Sequence, residues 1–354
     1  MPASKGVCFT PICPIHCIVP PHILKELAQR GDNNQKGWAF RTLAISEQTR
    51  GQRQTLGFIA AVATASTGTK RRTIYDAGNG RSLPGKLVRS EGSPKSKDVA
   101  VNEAYNGAGV TYDLFYKVYG RNSIDERGMR LDSTVHYGRD YDNAFWNGQQ
   151  MVYGDGDGEL FNRFTIAIDV IGHELTHGVT QYEAGLEYED QPGALNESFS
   201  DVFGSLVKQY RRRQSAKKAD WLIGKGLLAS GVKGKALRSM KEPGTAYDDD
   251  LLGKDPQPGH MKDYVKTHDD NGGVHINSGI PNRAFYETAM RLGGNAWEKA
   301  GKIWYMTLRD KLRPTSQFKD AAKATILVAR ELYGVGSLEV KAVEEGWAEV
   351  GLTV

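Results

Sequence analysis

Two histidines and a glutamate in residues 173–177 have the spacing of a catalytic metal site. The segment reads His-Glu-Leu-Thr-His, so His173 and His177 stand four residues apart. On a helix both imidazoles share one face and can bind one metal ion. Glu174 then lies beside the metal, where a carboxylate can take a proton from a metal-bound water. Because this short pattern also arises by chance on buried helices, a metal site needs support from other residues of the chain.

Glu197 is a candidate third ligand, twenty residues beyond His177. Two histidines and one glutamate are a ligand set of catalytic zinc that leaves a fourth position open to water. Asp201, four residues further on the same helix face, can accept a hydrogen bond from a ligand histidine. A solvated acidic face is the alternative, but apolar residues are interleaved with these carboxylates: Leu195, Phe199, Val202 and Phe203.

A third polar segment, residues 269–277, carries His275 in a glycine-rich stretch that we interpret as a loop. A protonated imidazole there could stabilise an oxyanion, with Asp270 fixing its orientation. Alone this signal is weak, because an isolated loop histidine is usually a surface residue.

The elements that must position these residues fall into three regions. Residues 1–60 precede a small, polar stretch typical of a linker, residues 61–178 mix a long helical pattern with short strand-like runs, and residues 179–354 are mainly helical. We therefore expect an α+β protein of two lobes. The N-terminal lobe has an antiparallel sheet, and the helix of residues 173–177 lies in the cleft before the helical C-terminal lobe.

Composition excludes several classes of function. The 354 residues are 39% hydrophobic and 25% charged, as in a globular protein with a full core. The net charge of +4 lies entirely within residues 1–60, and a neutral remainder argues against nucleic-acid binding. Since no run of ~18 apolar residues occurs, we expect no membrane partner either.

The three cysteines, Cys8, Cys13 and Cys17, all lie near the N-terminus, so no disulfide framework holds the body. Prolines interrupt the apolar stretch of residues 7–24, which does not have the pattern of a secretory signal. We expect a protein that is cytoplasmic as synthesised, with export by a non-classical route as an open alternative.

Several long motifs in order resemble thermolysin-family zinc metallopeptidases. The resemblance runs from about Ile74 to the C-terminus, and the short N-terminal region with Pro20-Pro21-His22-Ile23-Leu24 resembles the protealysin-like branch. The motifs are NAFWNGQQMVYGDGDG (143–158), HELTHGVTQYEAGLEYE (173–189), GALNESFSDVFG (193–204), LRSM (237–240) and DNGGVHINSGI (270–280).

The resemblance implies a zinc-dependent neutral endopeptidase, made as a self-processing precursor that its propeptide, residues 1–60, inhibits. It assigns zinc binding to His173, His177 and Glu197. It assigns proton transfer to Glu174. It implies that Asp201 orients a ligand histidine. It also implies that Tyr188 and His275 hold the oxyanion and that Asp270 supports His275.

Substrate binding is implied in the same way. Asn143 and Ala144 would bind substrate backbone and Arg238 a substrate carbonyl. Cleavage would fall on the N-terminal side of large hydrophobic residues, between which an apolar pocket discriminates only modestly. The pocket would be lined by Phe161, Phe164, Val170, Ile223, Leu227 and Leu237.

The sequence departs from the family at its double calcium site. Asp169 and Asp220 match two of the five carboxylates, but Lys208, Leu222 and Lys225 occupy the other three positions. Cations cannot help to hold calcium, so we expect the double site to be lost. The acidic residues 247–250 could bind calcium weakly, with a solvated loop as the alternative.

The N-terminal region should block the active site, and we expect the Cys17 thiolate to do so by binding zinc. The prolines that follow Cys17 would fix an extended approach to the cleft. An unpaired surface thiol is the alternative. Maturation should then cut within residues 58–68.

The competing function is a long-lived latent or catalytically silent precursor that acts as an intracellular binding protein. The intact Glu174 and the complete ligand set argue for the enzyme. We expect a monomer whose partners are protein or peptide substrates and its own propeptide in cis.

Overall fold

A computed structural model describes residues 16–56 and 68–354, with side chains described for 17–46 and 68–354. Apart from Gly68, the predicted cleavage stretch lies outside these residues, as do Cys8 and Cys13. The described N-terminal region has one short strand and two helices: β1 (His16–Cys17), α1 (Pro21–Arg30) and α2 (Asn33–Leu56).

Helix α1 begins at a proline and buries one apolar face. Pro21 stands at the first helical position, where the missing N–H costs nothing. The backbone N–H of Gly31 closes the helix on the Leu27 carbonyl, 2.9 Å away. The buried face consists of Ile23, Leu24 and Leu27, which recur at helical spacing.

The N-terminal lobe is built on a six-stranded sheet in the order β1-β5-β6-β4-β2-β3. The sheet is mixed, whereas we predicted an antiparallel one: β4 pairs in parallel with both β2 and β6. Helix α3 (Val99–Tyr119) lies between β3 and β4 in the chain, and such a crossover allows parallel pairing. The strands of this lobe are β2 (Arg72–Asp76), β3 (Lys86–Ser90), β4 (Leu131–Val135), β5 (Ala144–Trp146) and β6 (Met151–Tyr153).

The C-terminal lobe is mainly helical, with two small two-stranded sheets. Helix α4 (Ile168–Tyr182) follows the sheet and leads into this lobe. The helices of the lobe are α5 (Asp190–Arg212), α6 (Asp270–Asn277), α7 (Gly279–Leu292), α8 (Lys299–Asp310), α9 (Phe318–Tyr333) and α10 (Leu338–Ala348). Its strands are β7 (Leu222–Ile223), β8 (Arg238–Ser239), β9 (Asp248–Asp249) and β10 (Gly253–Lys254).

Helices α4 and α5 pack closely enough to bring their side chains into one site. A Cβ atom on Gly204 would stand 2.4 Å from the Asp169 carbonyl oxygen, and one on Gly172 would stand 3.0 Å from Val207. These glycines therefore set the separation of the two helices. Within the described residues, no helix has the length and apolar character needed to cross a membrane.

Candidate active site

The predicted metal ligands converge at the contact between α4 and α5. His173 and His177 lie on α4 and Glu197 on α5, and all three are buried. One ligand atom from each lies within 4.8 Å of the others. The two Nε2 atoms are 2.9 Å apart, and the Glu197 carboxylate oxygens lie 3.5 Å from His173 Nε2 and 3.4 Å from His177 Nε2.

The Nδ1 atom of each ligand histidine has a hydrogen-bond partner, which determines the role of the Nε2 atom. His173 Nδ1 donates to Asp201 Oδ1 at 2.8 Å, and His177 Nδ1 donates to Asn196 Oδ1 at 2.9 Å. In a neutral imidazole, an Nδ1 that donates leaves a lone pair on Nε2, and here the two Nε2 atoms face each other. Two facing lone pairs and a carboxylate form a donor set that suits a cation, and this set fits zinc.

Glu174 is held beside these ligands by the sheet. Its Oε2 accepts a hydrogen bond from the Trp146 backbone N–H at 3.0 Å, and the side chain is fully buried. The last residue of β5 thus positions the carboxylate. A buried carboxylate in this place can act as the base for a metal-activated water.

Asp201 stands at the centre of a buried charge network. Arg238 donates to both carboxylate oxygens at 2.8 Å, and Asn282 Nδ2 donates to Oδ2 at 2.8 Å. Burial raises the pKa of Asp201, but Arg238 and His173 lower it more, so that it falls below its ordinary value. Asp201 is therefore ionised and can orient His173.

Two of these supporting residues were not predicted. Asn196 directly precedes Glu197 on α5, so its position next to a predicted ligand could have identified it. Asn282 comes from α7, far away in the sequence, and only the folded arrangement of α5 and α7 places it on Asp201.

Tyr188, His275 and Asp270 form a second group beside the ligands. His275 Nδ1 donates to Asp270 Oδ1 at 2.6 Å, and the Tyr188 hydroxyl lies 3.2 Å from His275 Nε2 and also donates to Glu197. Burial lowers the pKa of His275, but the Asp270 carboxylate raises it above its ordinary value. The imidazole and the hydroxyl thus point to one place, as oxyanion donors do.

His275 lies on the short helix α6, whereas we predicted a loop. The glycine-rich residues 271–273 have positive φ angles of 51°, 81° and 76° inside this helix. Glycine adopts such a backbone at little cost, so the composition resembled that of a loop.

The N-terminal region occupies the cleft in an extended conformation. Strand β1 pairs antiparallel with β5, at the edge of the sheet. The Ile18 N–H donates to the Ala144 carbonyl at 3.2 Å, and the Val19 N–H donates to Asn143 Oδ1 at 3.0 Å. Arg238 Nη1 donates to the Ile18 carbonyl at 3.1 Å. The three residues predicted to bind substrate thus hold this segment.

The predicted thiolate ligand, Cys17, does not join the metal-binding group. Its Sγ lies 3.7 Å from Ser46 Oγ, and the side chain packs in a small hydrophobic cluster with Tyr141 and Phe145. The metal-binding group found among the described residues contains no sulfur. In an extended strand the carbonyl and the side chain point in different directions, and here the carbonyl oxygen, not the thiol, faces His275 at 3.1 Å.

Both lobes match models of known domains. The model of the thermolysin metallopeptidase catalytic domain matches residues 47–181, and that of its alpha-helical domain matches residues 184–352. The chain belongs to the thermolysin family of metallopeptidases. It is therefore a metalloendopeptidase, and the predicted two-lobed α+β fold with a helical C-terminal lobe is confirmed.

Similar proteins include a precursor of known structure. The precursor of protealysin, a metalloproteinase from Serratia proteamaculans, is 55% identical with a TM-score of 0.88, covering 96% of this chain and 100% of that chain. An extracellular metalloprotease from Pectobacterium carotovorum subsp. carotovorum is 53% identical over 348 residues, 96% of this chain and 97% of the relative. Thermostable neutral protease NprT from Geobacillus stearothermophilus is 45% identical over 288 residues, 78% of this chain and 50% of the relative.

The apolar residues that the thermolysin resemblance assigns to the specificity pocket are all buried, as is Ile18. All belong to the same hydrophobic cluster as Ile18. Several are neighbours: the Phe161 and Phe164 rings are 5.9 Å apart, and the Leu237 N–H donates to the Ile223 carbonyl at 2.9 Å. The other members are Val170 and Leu227.

An ammonium group occupies the region where the thermolysin family has its double calcium site. Lys208 Nζ lies 2.8 Å from both Asp169 Oδ2 and Asp220 Oδ1 and also donates to the Leu222 carbonyl. Burial lowers the pKa of Lys208, but the two carboxylates raise it above its ordinary value. Lys225 adds a second cation 3.7 Å from Asp220.

Proposed function

We propose that this metalloendopeptidase uses zinc and hydrolyses peptide bonds on the N-terminal side of large hydrophobic residues. We further propose that residues 1–60 inhibit it until self-processing removes them. The observation that carries the proposal is the position of Ile18, a large apolar residue whose backbone is held by Ala144 and Arg238. The segment occupies the cleft in the way that a peptide substrate would.

The reaction is divided among the residues already described. His173, His177 and Glu197 would hold zinc, which would supply Lewis acidity and lower the pKa of a bound water. Glu174 accepts a proton from the attacking water and later delivers it to the nitrogen of the leaving amine.

Other side chains stabilise charge and hold the peptide. Tyr188 and His275 donate hydrogen bonds to the substrate oxygen on which negative charge develops. Arg238 and Asn143 fix the backbone on the amine side of the bond, which places the carbonyl carbon near the attacking water. No covalent bond between substrate and protein is required.

The preference for large apolar residues follows from the surroundings of Ile18. Its side chain is fully buried and belongs to the main hydrophobic core, which also includes Phe161 and Leu227. Fully burying such a side chain contributes about 1.5–3 kcal/mol, so small or charged residues bind less well at this position.

Mapping the cleavage sites tests this proposal. The mature enzyme is incubated with an unfolded protein, and the new amino termini are identified by mass spectrometry. We expect most cuts before leucine, isoleucine and phenylalanine, complete inhibition by phenanthroline, and recovery with zinc. Cuts without an apolar preference would contradict the specificity. Absence of cleavage by zinc-loaded mature protein would favour the latent, silent binding protein instead.

A further inference from the structure

The contacts of residues 17–19 identify one particular peptide bond in the cleft. Ile18 is held at both its N–H and its carbonyl, by Ala144 and Arg238. The preceding carbonyl, that of Cys17, lies 3.1 Å from His275 Nε2, the atom that the Tyr188 hydroxyl also approaches. The bond between Cys17 and Ile18 therefore has its oxygen at the oxyanion donors and its nitrogen on the side of the apolar cluster.

The general base is held by β5, the strand that pairs with the segment containing this bond. In the antiparallel pairing of β1 with β5, Cys17 stands opposite Phe145. The next residue of β5, Trp146, donates its backbone N–H to Glu174 at 3.0 Å. One short strand thus aligns the carboxylate and the Cys17 carbonyl, while Ile18 lies fully buried among apolar side chains.

We propose that the Cys17–Ile18 bond is a cleavage site that the precursor presents to its own active site. This inference rests on the proposed peptidase function and specifies which bond of the inhibitory region the site can hydrolyse. The N-terminal region is then a slow substrate of the enzyme.

Hydrolysis here consumes one water molecule. The water oxygen bonds to the Cys17 carbonyl carbon, the carbon–nitrogen bond breaks, and the Ile18 nitrogen receives the proton that Glu174 took from the water. The products are residues 1–17, ending in a carboxylate, and a chain that begins Ile18-Val19-Pro20.

The cut does not by itself open the cleft, because helix α1 remains anchored. Ile23, Leu24 and Leu27 are buried, and His22 Nε2 lies 3.0 Å from the Tyr247 hydroxyl. The new amino terminus at Ile18 stays close to Ala144 and Arg238, at a high effective concentration. Full activity therefore requires a further cut beyond α2, and the nicked form stays inhibited.

The first experiment follows the intact precursor with zinc by mass spectrometry and N-terminal sequencing. We expect a chain that begins Ile-Val-Pro to appear before activity on an added peptide rises. The Glu174→Gln precursor should give no such chain. If the enzyme hydrolyses the added peptide but no Ile18 terminus forms, or if the Glu174→Gln precursor forms it equally, the inference is wrong.

The second experiment removes any dependence on folding of the variant. A synthetic peptide with the sequence of residues 12–24 is given to the mature enzyme, together with matched peptides carrying Ile18→Leu and Ile18→Asp. We expect cleavage after Cys17 in the first two and a fall of at least about tenfold in the third. Equal cleavage of all three after Cys17 would overturn the assignment. If no peptide of any sequence is cut, the peptidase function itself fails.

Discussion

At the scale of single residues, the metal site depends on partners that never touch the metal. Asp201 orients His173, and Asn196 orients His177. Asp201 also pairs with Arg238, which in turn binds the Ile18 carbonyl. One buried carboxylate thus couples metal binding to peptide binding.

Replacing Asp201 with asparagine should weaken both properties. The amide keeps one acceptor oxygen but has no charge, so it orients His173 less strongly, and its NH2 group cannot accept from the other donors. Arg238 also loses its buried counter-ion. We expect zinc affinity to fall by about 10–100-fold and the free energy of unfolding by about 3–5 kcal/mol. Competition with a chelator and thermal unfolding measure the two effects.

Asn282→Ala is the matched control, since Asn282 contacts Asp201 from the side away from His173. It should lower stability slightly and leave zinc affinity nearly unchanged. If Asp201→Asn binds zinc as tightly as this control, Asp201 does not act through His173.

At the scale of elements, helix α1 docks through a histidine that burial keeps neutral. Burial lowers the pKa of His22 to about 4, against a partial opposing effect of Asp270. The other charges that face it, His275, Arg238 and Lys25, lower the pKa further. The released segment therefore binds a proton near pH 6.5, whereas the docked segment binds it only near pH 4.

Docking of α1 should consequently weaken as pH falls from about 6.5 to about 4. Hydrogen exchange of residues 21–30, corrected for the intrinsic pH dependence, measures this release. The His22→Gln precursor retains a polar side chain at this position but cannot titrate, so its exchange should vary much less with pH. The same dependence in both precursors would show that His22 does not control docking.

The limits of prediction are clearest among these elements. The mixture of a long helix and short strands in residues 61–178 was predicted because apolar spacing is a local signal, and the metal ligands because their chemistry and spacing are specific. Helix α2 was missed because its large apolar residues, such as Trp38, Phe40 and Leu43, are few and do not recur at helical spacing, so its formation depends on tertiary packing. The orientation of Cys17 also depends on how β1 pairs with β5, which no local pattern encodes.

At the scale of the whole molecule, a buried lysine links the beginning of α4 to the end of α5. Lys208 on α5 pairs with Asp169 on α4 and with Asp220 beyond α5. Together with Lys225, 3.7 Å from Asp220, Lys208 balances the charge of the two carboxylates without a dissociable ion. Stability should therefore depend little on calcium.

Thermal unfolding with calcium and with a calcium chelator tests this expectation. We expect little change in Tm for the natural chain. Lys208→Met should lose about 3–5 kcal/mol under both conditions, because it leaves the buried Asp169 carboxylate without its cation. Lys208→Glu adds a third carboxylate and should regain stability when calcium is supplied. A large calcium-dependent rise in Tm of the natural chain would contradict the account.

The account as a whole depends on Glu174 being the base at a zinc site that His173, His177 and Glu197 form. The direct measurement compares peptide hydrolysis by mature natural and Glu174→Gln enzymes at equal, independently measured zinc content. The account predicts one zinc per chain in both and a rate about 10²–10⁴-fold lower in the variant. Equal rates at equal zinc content would contradict it, as would a natural enzyme that hydrolyses peptides at full rate without zinc.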